Sequence, residues 1–225
     1  MSKVKMFLII KDQSERVKDK NFREIGGVSL HQYFMNRRQD FQIYIDTDSE
    51  RIFKEYNSNR WPNILAYMRD QEHIDIECAG DTSPAPLMIK RFLDEHVKDD
   101  NEAVITSHIT SPFLNDATVF LALKEMNSKN YDSVSSVEDV KEFCVYGESG
   151  GEKPINFDNK KIIKTQSLEP VKVLNGAFFI IKKKIFLNNG YRRISDNHYY
   201  FPISKLEAVD IDTDFDLRVA RCLAE

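Results

Sequence analysis

The 225-residue chain has a mass of 26.2 kDa, a length that suits one domain with a sizeable core and excludes a miniature held together by disulfides or metal. Its 41% hydrophobic, 11% aromatic and 30% charged residues describe a folding globular protein and exclude a disordered or fibrous one. A net charge of -4 and a pI of about 5.8 argue against broad electrostatic attraction to nucleic acid or an anionic membrane, so neither is expected as a partner.

In chain order, Val4–Ile10 is a nearly continuous apolar run, as expected of a strand buried on both faces of a parallel sheet. It is too short for a signal-peptide core, and Lys11-Asp12-Gln13-Ser14 follows it instead of a small-residue cleavage site. No segment approaches membrane-spanning length. A helix-like Leu30/Tyr33/Phe34 pattern then completes a βα unit, and similar pairs recur at 42–45 with 49–56 and at 103–106 with 115–126. This alternation predicts an α/β fold over a single domain, 1–225.

Between 131 and 181 the rhythm changes. Strand-like pieces at 133–137, 143–146 and 177–181 flank a polar stretch at 147–161, which reads as an insertion of hairpins and loops with the character of an oligomer arm. Near the end, Val209-Asp210-Ile211-Asp212 alternates like a short strand, and Thr213 with Asp216 forms a capping box that opens a helix. Phe215, Val219, Ala220 and Leu223 are expected to form its apolar face. Cys78, Cys144 and Cys222 are odd in number and widely separated, without zinc-site spacing, which predicts a reducing, cytoplasmic setting.

Two segments could carry chemistry. The polar run from Lys11 to Asn21 follows the first strand, where α/β sheets bind ligands, and its cations could hold phosphates or merely be solvated and balanced by Asp12, Glu15 and Asp19. It contains no glycine, so it is not a Walker loop. Asp210 and Asp212 on a strand would point to the same face, roughly 6.5–7 Å apart at the backbone, a spacing that lets two carboxylates share a magnesium ion. Phe215 and Arg221 occupy positions that an EF-hand reserves for Gly and Glu, which excludes that motif. Asp214 and Asp216 also suit the positive end of the last helix. Of His31, His73, His96, His108 and His198, only His108 stands just after a strand in a ligand-facing place; the others suit surface or hydrogen-bonded structural roles. There is no G-x-S-x-G elbow and no Cys/His nucleophile pattern, which disfavours covalent hydrolysis.

Several blocks fall in a shared order: Lys20-Asn21-x-Arg23 with Gly27, Leu30 and Tyr33; Asp46-Thr47-Asp48-Ser49-Glu50; Asp81-Thr82-Ser83; Thr110-Ser111-Pro112-Phe113-Leu114; Asp132-Ser133-Val134-Ser135-Ser136-Val137; Asn175-Gly176-Ala177-Phe178-Phe179-Ile180; and Val209-Asp210-Ile211-Asp212-Thr213. Together they resemble the acylneuraminate cytidylyltransferase (CMP-sialic acid synthetase) family nearly end to end. The resemblance implies a Rossmann-like nucleotidyltransferase with a mostly parallel central sheet and an inserted hairpin or dimerisation region at 131–181. It implies transfer of CMP from CTP to an acidic sugar with release of pyrophosphate, magnesium as cofactor, and a homodimer. It places Lys11, Ser14, Arg16, Lys20 and Asn21 on the triphosphate, Asp210 and Asp212 on magnesium, and Asp81, Thr82, Ser83 and His108 near the nucleotide, with Lys20 and the acidic pair as the catalytic set.

The chain departs from the family pattern at Lys11 (usually Arg), at Asp12 and Gln13 (usually glycines), at Glu15 (often Lys), and at Val173, where the family often carries an Arg. These departures leave open CMP transfer to a phosphonate or other nonsugar acid, and a noncatalytic nucleotide-binding paralogue.

Overall fold

The computed structural model describes residues 3–14, 16–80, 82–161 and 163–224. The elements are β1 (Val4–Ile10), the short hairpin β2 (Glu24–Ile25) and β3 (Val28–Ser29), α1 (Leu30–Met35), β4 (Phe41–Thr47), α2 (Glu50–Tyr56), β5 (Ile64–Met68), α3 (Gln71–Ala79) and α4 (Ala85–His96). They continue with β6 (Ala103–Ser107), α5 (Asp116–Ser128), β7 (Ser133–Val140), β8 (Val145–Tyr146), β9 (Lys153–Pro154), β10 (Val171–Lys182), α6 (Lys183–Asn188), β11 (His198–Pro202) and α7 (Asp214–Leu223).

Seven strands form one sheet in the order β11-β7-β10-β6-β1-β4-β5. Only β10 runs against the rest: it is antiparallel to β6 and β7, while the β1–β4, β1–β6, β4–β5 and β7–β11 pairs are parallel. The fold is therefore the expected α/β arrangement with a mostly parallel sheet. The apolar run of β1 explains its central place. Met6, Leu8 and Ile10 enter the core on one face with Phe34, Ile52, Val119 and Met126, while Phe7 packs on the other with Met88, Phe92, Leu93 and Phe186. Burial on both faces is what a continuous apolar strand requires.

A third, smaller core joins the end of the chain to its beginning: Leu217 and Ala220 of α7 pack with Val17, Ile25, Leu30, Phe113 and Ile211. The capping box forms as expected, with Asp216 N donating to Thr213 Oγ1 (3.2 Å) and Thr213 N donating to Asp216 Oδ2 (2.7 Å). Two details of this region are corrected. Ala220 is buried as expected, but Phe215, expected on the same face, is 68% exposed, and Leu223 is also exposed, because the helix turns Leu217 rather than these two toward the β2–β3 hairpin. Residues 209–212 join no sheet; Ile211 N donates to the carbonyl of Thr110 (2.9 Å), and this contact substitutes for a ladder.

The stretch 131–181 also resolves into two parts. Its ends, β7 and the second half of β10, are strands of the main sheet, paired from Phe179↔Ser135 to Ile181↔Ser133. What projects is the portion between: the register of β10 shifts between Leu174 and Phe179, the strands pair again from Leu174↔Val137 to Val171↔Val140, and the β8–β9 hairpin lies beyond.

Candidate active site

The sheet order determines where a ligand can sit. From β1 the chain winds to β4 and β5 on one side, and then crosses to β6 on the other. The carboxyl ends of β1 and β6 therefore face a crevice at the reversal of strand order, the usual ligand position in open α/β sheets. A cavity of about 440 Å³ lies there, lined by Ile9 and Lys11 after β1 and by His108, Ile109 and Thr110 after β6. It is large enough for a small-molecule ligand.

Nine of the eleven candidate residues line this cavity: Lys11, Ser14, Arg16, Lys20, Asn21, Ser83, His108, Asp210 and Asp212. Asp81 lies outside the described residues. Thr82 is exposed and is not among the lining residues, because the chain turns at Ser83 and Pro84 into α4, and only the turn faces inward. There Ser83 Oγ accepts from Ala85 N (3.3 Å). The head of α4 thereby brings a helix N-terminus, with its partial positive charge, to the cavity wall.

The glycine-poor loop is ordered by side chains. Asp12 N donates to Asp48 Oδ1 (2.6 Å), and Ser49 Oγ (2.6 Å) and Arg51 Nη2 (3.1 Å) donate to Asp12 Oδ1. The Ser49 hydrogen bond, assisted by Arg51, holds the Asp12 carboxyl below its usual pKa. Asn21 Nδ2 donates to the Lys11 carbonyl (2.7 Å), tying the two ends of the loop together. Asp12, which stands where the family has glycine, thus anchors the loop to β4 and α2.

The cations of the cavity are paired in this structure. Lys11 meets Glu77 of α3, which also accepts from the fully buried Arg69 (2.8 Å); Arg69 in turn donates to Asp46 (2.7 Å). Arg16 Nη1 donates to Asp212 Oδ2 (2.7 Å), and Lys20 Nζ donates to the Ile211 carbonyl (2.7 Å) and lies 3.4 Å from Asp212 Oδ1. The three lining cations are paired with Glu77 and Asp212, so an incoming polyanion would exchange one set of ion pairs for another.

The acidic pair reaches the cavity without a strand. Ile211 is buried in the third core, which leaves the residues on either side of it directed to the cavity. Burial, reinforced by the nearby Asp212 charge, pushes the pKa of Asp210 above the ordinary 3.8, although the Thr110 side chain acts in the opposite direction. Its Oδ1 is buried without a hydrogen-bond partner. His108 differs from the cations around it. Burial first, and the neighbouring Arg193 and Lys20 next, lower its pKa to about 4, so at neutral pH it is an uncharged donor and acceptor.

Three lining residues with polar side chains, Glu77, Thr110 and Asn175, lie outside the site that the sequence indicates. Glu77 reaches the cavity as the partner of Lys11, and Thr110 follows His108 and Ile109 along the wall beyond β6. Asn175 reaches it through the register shift in β10, where Gly176 has φ +72°, a conformation that favours glycine. Its Oδ1 accepts from Ser136 Oγ (2.6 Å), while its Nδ2 is buried without a partner. The Asn175-Gly176 block was the available signal. Lys172, beside Val173, instead pairs with Asp139 on the projecting strands (2.7 Å).

Known proteins share the fold and part of the sequence. N-acylneuraminate cytidylyltransferases of Streptococcus agalactiae serotype III (strain NEM316) and serotype V (strain ATCC BAA-611 / 2603 V/R) are 26% identical over 177 and 178 residues, 77% of this chain. The chain spans about 40% of the length of these curated relatives. Among solved structures, a CMP:2-keto-3-deoxy-manno-octonic acid synthetase complexed with CTP superposes with a TM-score of 0.64 at 12% identity, covering 99% of this chain and 98% of the other. A 4-diphosphocytidyl-2C-methyl-D-erythritol synthase from Anaerococcus prevotii DSM 20548 gives 0.63 at 12% identity, covering 98% and 96%. These superpositions establish the shared fold. The cytidylyltransferase family model matches residues 12–148, more than half of the chain and the part that carries the cationic loop and the β6 wall of the cavity, and the chain belongs to that family.

Proposed function

We propose that the protein transfers CMP from CTP to a hydroxyl of an acidic sugar, releasing pyrophosphate. The observation that carries this reading is the convergence of Lys11, Arg16, Lys20, His108, Asp210 and Asp212 on one cavity at the reversal of strand order. In the reaction the acceptor oxygen bonds to the α-phosphorus and the bond from that phosphorus to the bridging oxygen of the β-phosphate breaks. The electron pair leaves with pyrophosphate, and the hydroxyl proton passes to solvent. Little covalent work falls to the protein, so alignment and charge compensation supply the catalysis.

Lys11, Arg16 and Lys20 are the groups available to the triphosphate. Ser83 and the neutral His108 are suited to hydrogen bonding with the nucleoside. Asp210 fits a hard cation, because its buried, unpartnered Oδ1 lacks a ligand, and Asp212 lies beside it. Among the described residues no group of three or more His, Cys, Asp or Glu side chains is arranged around a metal. Asp210 and Asp212 would therefore hold magnesium together with phosphate oxygens and water. Bound there, the ion would neutralise charge developing on the phosphates.

The protein is proposed to act as a homodimer. The projecting portion of 131–181 carries the exposed apolar residues Val145, Tyr146, Ile155, Val173 and Leu174, a concentration of apolar surface that suits a partner of the same kind. No helix among the described residues is long and apolar enough to cross a membrane, and a cytoplasmic setting is part of the same proposal. The test is calorimetry with magnesium: CTP should bind more tightly than ATP, Lys20→Ala should weaken binding, and Lys129→Ala, at the C-terminal cap of α5 and outside the cavity lining, should leave it unchanged. Equal affinity for CTP and ATP would count against the proposal.

A further inference from the structure

The loop 189–197 carries a cation that the site above does not use. Arg193 is half-buried, and its guanidinium carbon lies 3.9 Å from the centre of the Phe179 ring. Among the described residues no carboxylate lies within ion-pair distance of it, whereas the neighbouring Arg192 is satisfied by Asn189. Burial disfavours its charged form, so its position costs stability that a cation–π contact only partly returns.

The loop that places Arg193 is braced on both sides. Asn189 Nδ2 donates to the Ile194 carbonyl (2.8 Å) and Tyr191 N to the Phe186 carbonyl (3.1 Å). Ser195 N donates to Ser133 Oγ (2.9 Å). Arg193 is thus fixed before any ligand arrives. Phe179 pairs in register with Thr106 of β6, so the two side chains share one face of the sheet, the face that His108 joins two residues later. The hydroxyl of Thr106 is buried and has no hydrogen-bond partner. Arg193 also lies near enough to His108 to be among the charges that lower its basicity. An unpaired guanidinium and an unpaired hydroxyl therefore stand beside the same ring, outside the cavity lining itself, and His108, two residues beyond Thr106, is the lining residue nearest to them in the chain.

We propose that Arg193 binds the carboxylate of the acidic acceptor, with the Thr106–Phe179 face forming the floor beneath it. Lys11, Arg16 and Lys20 lie together after β1 and serve the triphosphate; Arg193 is separate from them and is a planar donor able to take a carboxylate through two parallel hydrogen bonds. The inference rests on the acidic-acceptor reading above and assigns that acid its anchor.

The experiment measures binding by calorimetry to the magnesium- and CTP-loaded protein, using N-acetylneuraminic acid, 2-keto-3-deoxy-manno-octonic acid and pyruvate, each beside its carboxamide. The wild-type protein should bind at least one acid tenfold or more tightly than its amide. Arg193→Gln should bring acid and amide to equal affinity, Arg193→Lys should keep part of the preference, and CTP affinity should be unchanged in both. Thermal melts verify that the variants are folded; a purely structural cap on Phe179 would lower the melting temperature and leave the preference intact. Arg193→Gln with an unchanged preference overturns the assignment, as does a wild-type protein that binds CTP but prefers no acid over its amide. Failure to bind CTP overturns instead the reading on which the assignment rests.

Discussion

Replacing Asp210 by asparagine is expected to move stability and turnover in opposite directions. In the ligand-free protein the carboxylate has one buried oxygen without a partner, and burial holds its pKa above 3.8. Burial penalises the charged form of this carboxylate, and because the side chain retains some exposure, screening holds that penalty to about 1 kcal/mol. Asparagine keeps the shape and removes the charge, so Asp210→Asn should stabilise the ligand-free protein by about that amount at neutral pH.

The sign with pH follows from the direction of the shift. Below the ordinary value of 3.8 the group is protonated in both the folded and unfolded states and the variant gains nothing. As pH rises through the elevated folded value the folded wild type alone resists ionising, and the gap opens to its full size. Turnover should fall by about 10²-fold or more, the scale of losing one electrostatic contact aimed at developing charge. Thermal melts at several pH values, paired with pyrophosphate release against magnesium concentration, read both effects. A variant that melts lower than wild type and turns over normally would refute the argument, since Asp210 would then be a structural residue.

Asp216 supplies the contrast. It accepts from Thr213 N, Thr213 Oγ1 (2.8 Å) and Asp212 N (3.1 Å), so Asp216→Asn should cost about 1 kcal/mol in melts while leaving pyrophosphate release near normal. His31, His108 and His198 each have a pKa lowered to about 4, burial being the main cause. The unfolded chain binds protons first between about pH 6.5 and 4, so stability should fall as pH drops through that window, by at most about 3 kcal/mol per imidazole, and denaturant melts across it should show the slope. For the dimer, Val173→Glu combined with Leu174→Glu should yield a monomer by light scattering with its melting temperature little changed, because both side chains are exposed in the single chain; a wild-type monomer at high micromolar concentration would overturn the proposed assembly.

How much of this was legible in the sequence depends on whether a feature is local or is made by the sheet. The β1 run and the Thr213 cap are local, and both were readable: one needs burial on two faces, the other a hydroxyl and a carboxylate three residues apart. The face of α7 was not. Phe215, Val219, Ala220 and Leu223 form one stripe at helical spacing, but Leu217, Ala220 and Ala224 form another, and only the third core selects between them. The alternation of Val209-Asp210-Ile211-Asp212 suggested a strand for the right reason, a buried residue between two directed outward, and the conclusion about a shared side survived because Ile211 is plugged into that core. Strand β5 and helix α4 carry local patterns of the same kind, the apolar run at 64–68 and the Met88, Ile89, Phe92, Leu93 spacing.

The pairings inside the site have a different origin. Lys11 meets Glu77 across 66 positions and Thr106 meets Phe179 across 73, distances over which composition and periodicity carry no information. Both pairings follow from strand order: β4 and β5 lie on one side of β1, while β10 enters antiparallel beside β6 on the other. The same order separates the phosphate-side cations after β1 from Arg193 beside β10. In the proposed reaction the two anionic reactants would thus meet cationic groups that come from opposite sides of the reversal in strand order.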